Sequence, residues 1–394
     1  MNTWKHALSA MGAALLLAAC GGGGDGTATS SGAGITTIKV VGDSLTDSGV
    51  FGFKFAMQGS AAEPMQIWTE RIAAQYGAPA LCARYLATSA TTVALNPSAA
   101  SCTSYGVGGG RINNPTAPSS GFSIPQQLKV LAEEKAYGAG DLLLVDGGGN
   151  DAADLVGAFL QVPADGGAAY SGLLGTLLTP TVVGTQLAAG APGAANAGEL
   201  YMTALADKLF DAVKTSALDK GAKKVVVLNM PGITNTPRFQ STLDLVAAFV
   251  AAGPGGAAAG ATARAQTEAI INSWVVAFNK QLAARFSGNA NVTLVDFYSN
   301  FNDQMANPAQ YGLTNVKTPA CPSTGLDPDD HLPVYDRPAC TSTTLSAQTP
   351  PAGSNGSADW WKTYAFSDDF HPTMLGYQLL TQLVTKNLAT AGWL

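Results

Sequence analysis

The sequence is poor in charge. Only 12% of its 394 residues are Asp, Glu, Lys or Arg, with a net charge of −6. No basic run occurs, so nucleic acid is not an expected partner. Histidine is scarcer still, with three in the chain, and the five cysteines include no Cys-x-x-Cys spacing of the kind that holds zinc. No internal repeat is visible. No apolar run reaches the roughly 20 residues that span a bilayer. What is abundant is apolar: 46% of the residues, as suits a large core and an uncharged substrate surface.

The N-terminus stands apart. Lys5 and His6 precede the apolar stretch Ala7–Ala19, the pattern of a secretory signal over residues 1–19. Leu17-Ala18-Ala19-Cys20 resembles the bacterial lipobox. That resemblance implies a lipidated Cys20 as the new N-terminus, the plainer alternative being a signal peptide with an incidental cysteine. Residues 20–35 are then a flexible Gly/Ser/Thr/Ala tether. Gly21 after the cysteine resembles an outer-membrane address. The expectation is an exported, outer-membrane-anchored lipoprotein whose membrane contact is its lipid, or otherwise a secreted protein. Without Cys20 four cysteines remain, in two local pairs. Disulfides Cys82–Cys102 and Cys321–Cys340 are expected in an oxidising compartment, from proximity alone among three possible pairings.

Residues 36–394 read as one α/β domain. Ile38–Val41, Leu142–Val145, Val225–Leu228 and Val292–Val295 are short apolar runs, as in strands buried on both faces. Between them, Trp68, Ile72 and Tyr76 recur at helical spacing, as do Met202, Leu205, Leu209 and Val213. Met374–Leu388 reads as a last helix. Strands alternating with helices imply parallel units with helices on both faces. Two segments, near 162–198 and 319–357, read as irregular insertions. The first, rich in Ala, Gly and Leu, could line an acyl-binding cleft or be a surface loop.

In open parallel sheets ligands bind beyond the carboxyl ends of the strands. Gly42-Asp43-Ser44-Leu45 follows the first strand and places Ser44 on a tight turn; alone it reads equally as a helix cap. Asp146-Gly147-Gly148-Gly149-Asn150-Asp151 follows another strand and offers the Asn150 amide. Ser104–Arg111 contains a further glycine turn. Export leaves two histidines, His331 and His371. His371 follows Asp368 by three residues, and a local turn could bring that carboxylate to the ring and orient it toward a serine. A serine hydroxyl needs such a base, being barely ionised near neutral pH. His331, beside Asp327 and Asp336, reads as a solvated loop residue, with a metal site as the alternative.

Together, Gly-Asp-Ser-Leu near the start, Gly-Gly-Gly-Asn-Asp in the middle and Asp-x-x-His-Pro-Thr near the end resemble the GDSL lipases and esterases, or SGNH hydrolases. The likeness runs from Ile38 to Leu388. It implies an α/β/α sandwich, flavodoxin-like, around a mainly parallel sheet of about five strands. It implies Ser44 as nucleophile, with His371 as base and Asp368 as its orienter; Asp369 is the rival acid. The oxyanion hole would be Ser44, Gly109 and Asn150, with Gly108 the neighbouring candidate. Ser104 stands where the family usually has Asn. The implied activity is cleavage of carboxylic esters, the partner an ester or lipid substrate, with no cofactor and no metal. A phospholipase, an acyltransferase or a sugar deacetylase could use the same residues. A surface lipoprotein without activity is the alternative of another class.

Overall fold

The computed structural model describes residues 34–394; the expected signal segment, most of the tether and Cys20 lie outside the described residues. Four strands form the central sheet: β1 (Thr37–Val41), β2 (Asp141–Val145), β3 (Val225–Leu228) and β4 (Val292–Val295). All pair in parallel, in the order β1-β2-β3-β4. In place of a fifth strand, Thr103–Tyr105 lies along the free edge of β1. The Val40 N–H donates to Thr103 O, and the Tyr105 N–H donates to Val40 O. This pairing ends after one bridge. Cys102, just before it, is bonded to Cys82, and just after it the Val107 N–H donates to Gly42 O before the chain turns at Gly108 and Gly109.

Successive strand residues face opposite sides, so each strand serves two cores. The helices that flank the sheet are α1 (Trp68–Gln75), α2 (Ile124–Glu134), α3 (Gly149–Leu160), α4 (Gly190–Ser216), α5 (Pro237–Ala251), α6 (Gly256–Phe286), α7 (Phe297–Ala306) and α8 (Met374–Thr390). Val41, Leu143, Val145, Val225 and Val227 pack with α2, α3, α4, α5 and α6. Ile38, Val40, Leu142, Leu144, Val226 and Leu228 pack with α1, α7 and α8. The result is a three-layer α/β/α sandwich. No described helix is long and apolar enough to cross a membrane.

The first insertion differs from its expected irregularity. Residues 162–198 form short helices, Val162–Asp165, Ala168–Leu174 and Pro180–Ala188, and then the first turns of α4. Alanine is the strongest helix former, so the composition favours helix once an apolar face is buried. Tyr170, Leu174 and Ala197 supply that face and join the core. The second insertion is closed by the Cys321–Cys340 bond and holds a small antiparallel pair, Ser323–Leu326 with Pro333–Tyr335. Leu144, fully buried in the middle of the sheet, tests this packing. Leu144→Ala should cost about 2–5 kcal/mol in denaturant unfolding. An unchanged midpoint would mean that the two-faced sheet does not carry the core.

Candidate active site

The carboxyl ends of the strands converge on one edge. β1 runs into Gly42-Asp43-Ser44, and β2 into Asp146–Gly149. The first turn is tight because Gly42 has φ +150°, and a Cβ there would meet an oxygen of Asp146 at 1.5 Å. Its backbone is held on both sides by buried Gln127 of α2. The Gly42 N–H donates to Gln127 Oε1 at 2.8 Å, and Gln127 Nε2 donates to Gly42 O at 2.9 Å. The Asp43 N–H and Thr46 Oγ1 both donate to Asp146 Oδ1. Burial raises the pKa of Asp146 well above the ordinary carboxylate value, and the neighbouring charge of Asp43 adds to it.

His371 reaches this turn from the loop before α8. Its Nε2 lies 2.8 Å from Ser44 Oγ, although 327 residues separate them. Its Nδ1 lies 2.8 and 2.9 Å from the two oxygens of Asp368. With Nδ1–H donating to the carboxylate, the Nε2 lone pair faces the serine hydroxyl, which can lose its proton as the oxygen attacks. Asp368 sits in a tight local turn: its Oδ1 also accepts from the N–H groups of Phe370 and His371. Asp369, the rival acid, points away to Arg238 at 3.4 Å. Burial, then the charge of Asp368, pushes its carboxyl up to about 6, against the pull of Arg238.

The structure adds a residue that sequence reading missed. Arg337 Nε donates to Asp368 Oδ2 at 2.5 Å, from within the loop closed by Cys321–Cys340. Burial alone would raise the Asp368 pKa. The opposing charges of His371 and Arg337, with hydrogen bonds, hold it well below the carboxylate range instead. Nothing local in the sequence signals this contact, which pairs residues from two separate loops.

The glycine turn after Ser104 forms the neighbouring wall. Two buried carboxylates clamp it. Asp47 Oδ2 accepts from the Gly108 N–H at 2.7 Å, and Asp151 accepts from the N–H groups of Ile112 and Asn113 at 2.9 and 2.7 Å. Burial pushes Asp47 up to about 6 and Asp151 up to about 7, against these hydrogen bonds. The clamp distinguishes the two glycine candidates. The Gly108 N–H is committed to Asp47, whereas no described residue accepts from the N–H of Gly109 or of Ser44. Asn150, at the start of α3, donates one amide hydrogen to Gly110 O at 3.0 Å and has a second to offer. Ser104, at the position where Asn is usual, links through its hydroxyl to Ser48 at 2.9 Å. The third strand also contributes: Asn229 Nδ2 donates to Asp296 Oδ1, tying the ends of β3 and β4 together.

Other expected positions fall elsewhere. Both cysteine pairs are bonded, Cys82 to Cys102 and Cys321 to Cys340. His331 lies in an exposed turn with φ 58°. It does not assemble with Asp327 and Asp336, and among the described residues no group of His, Cys, Asp or Glu is placed to hold a metal ion. Cys20 lies outside the described residues. Of the helical insertion, Leu173 reaches the cleft beside Gly108 and Gly109, while the other apolar side chains named above turn into the core.

A family model described as GDSL-like lipase/acylhydrolase matches residues 38–384. No curated protein matches the chain. The geometry suggests a direct test of the glycine turn. A Cβ on Gly108 would lie 2.0 Å from the Phe55 ring. Gly108→Ala should therefore displace Phe55 and destabilise the protein by about 1–3 kcal/mol in urea unfolding. Wild-type stability would show that Phe55 is free to move aside.

Proposed function

The chain belongs to the GDSL-like lipase/acylhydrolase family, and on that premise we propose that it is a serine hydrolase of carboxylic esters acting through an acyl-enzyme. One observation carries this reading: the unbroken chain of contacts from Asp368 through His371 to Ser44 Oγ. Ser44 Oγ attacks the ester carbonyl carbon while its proton passes to His371 Nε2. The oxyanion is met by the free N–H groups of Ser44 and Gly109 and by the spare hydrogen of the Asn150 amide. Collapse of the tetrahedral adduct breaks the bond to the alcohol oxygen, which takes the proton from His371. Water then attacks the acyl group and gives its proton to His371. The second adduct expels Ser44, which recovers that proton, and the acid leaves. Asp368 stays ionised throughout, orients the ring and offsets its positive charge.

Export and a lipid anchor at Cys20 belong to the same proposal. The signal-like residues 1–19 and the lipobox-like Leu17–Cys20 support them, and two disulfides are compatible with an oxidising compartment. The anchor would hold the domain at a membrane, within reach of ester or lipid substrates.

Ser44→Ala should abolish release of p-nitrophenol from short acyl esters by folded protein, and Asn150→Ala should lower kcat by about 10²–10³. Turnover retained in the first variant would remove Ser44 as nucleophile. Unchanged kcat in the second would remove Asn150 from the oxyanion hole.

Arg337 sets a pH dependence. The charges around His371 are Asp368 and Asp369 from its own turn, Asp43 from the turn after β1, and Arg337 from the disulfide loop. Arg337 is the cation of this set that bonds Asp368 directly. Removing it takes away one of the charges that hold the Asp368 carboxyl below the carboxylate range, so its pKa rises and the stability that the ionised acid contributes is lost at a higher pH. Arg337→Met should therefore move the midpoint of acid unfolding upward, with Arg337→Lys closer to wild type. An unmoved midpoint in Arg337→Met would show that Arg337 does not hold Asp368 ionised.

A further inference from the structure

Two spaces of unlike size lie near Ser44 and His371, one lined by both residues and one that meets them through Phe55. One is a narrow, partly open apolar pocket of about 50 Å³, with Leu45, Ile233 and Phe370 among its walls. That is roughly a third of a cavity known to hold benzene, so it admits about two or three carbons and no ring. The other is an open cleft of about 1090 Å³ whose lining includes Gly108 and Gly109. Phe51, Phe53, Phe55 and Phe122 wall it, and all four rings are only partly buried.

This wall is built onto the site. The Phe55 ring lies 5.2 Å from the His371 ring. Its other neighbours are the Arg337 guanidinium, 5.2 Å from the ring centroid, and Gly108, whose missing side chain leaves room for it. The Phe55 carbonyl accepts from the Tyr377 hydroxyl of α8 at 3.0 Å. Phe53 packs on Phe55 at 5.4 Å, Phe51 meets it edge-on at 5.8 Å, and Phe122 follows at 6.3 Å from Phe51. The charges at the rim are closed on each other: Arg111 Nε and Nη2 bond both oxygens of Asp154. The cleft therefore presents ring faces and edges on one wall and uncharged hydroxyl and amide side chains such as Ser89, Asn114 and Ser120 elsewhere, with no unpaired charge from that pair. Ring edges and faces match an aromatic group better than a flexible alkyl chain, which gains no ring–ring contact and loses more rotational freedom on binding.

We propose that the site is divided for esters joining one compact group, of about two or three carbons, to one bulky aromatic group lying against Phe51, Phe53, Phe55 and Phe122. This rests on Ser44 being the nucleophile of an ester hydrolase. The aromatic group could enter as the alcohol or as the acid of the ester, and the substrates of the test separate the two.

The test measures kcat/KM on the folded full chain for 2-naphthyl acetate, ethyl 2-naphthoate and hexyl hexanoate, each divided by its rate with hydroxide. One of the two naphthyl esters should exceed hexyl hexanoate by about tenfold or more, and which one tells the end of the ester that lies in the cleft. Phe53→Ala and Phe51→Ala should each lower that ratio by about tenfold. Hexyl hexanoate cleaved as well as both naphthyl esters, or a ratio untouched in both variants, would overturn the division. Fluorophosphonate labelling of Ser44 separates the two levels of the reading. Labelled protein without the aromatic preference loses the subsites and keeps the hydrolase, while unlabelled folded protein loses both.

Discussion

A buried carboxylate organises this molecule. Asp368 is 1% exposed, and an ionised group so placed is tolerable only if its oxygens are fully engaged. Its partners come from three directions. Two are backbone N–H groups of its own turn, one is the His371 ring, and one is Arg337 from the disulfide-closed insertion. Satisfying the charge therefore fixes the His371 ring, and the ring in turn stands against Ser44. The insertion is thereby part of the site: its arginine is one of the four donors that keep the acid ionised.

The same logic repeats on the other side of Ser44. The glycine turn at 106–110 has little side chain with which to hold itself in place. Asp47 and Asp151 hold it instead, by accepting backbone N–H groups. The clamp uses the Gly108 N–H, while no described residue accepts from that of Gly109. Burial works against these carboxylates by raising their pKa values, and the backbone N–H groups they accept work the other way.

Much of this was legible in the chain. The four strand runs coincide with the four strands of the sheet, because residues buried on both faces must be continuously apolar. Trp68, Ile72 and Tyr76 marked α1, and Met202 to Val213 marked the heart of α4, because one helix face must bury itself. Other parts were hidden. α5 and α6 escaped notice since alanine and glycine blur the contrast between faces, and residues 162–198 read as irregular for the same reason. The fifth strand shrank to a single bridge, since Cys82–Cys102 and the glycine turn bound it closely on either side.

The sequence by itself determined the chemistry on offer: a serine, an asparagine and an Asp-x-x-His block, each beside a strand end or a helix start, in an order that matches one family. These are local properties, set by residue type and spacing. Only the tertiary structure decided which atoms meet. It committed the Gly108 amide to Asp47 while leaving that of Gly109 free, brought Arg337 to Asp368 and set Phe122 against Phe51, beside Phe53 and Phe55, in one wall. Each of these depends on contacts between segments far apart in the chain, which hydrophobic periodicity does not encode.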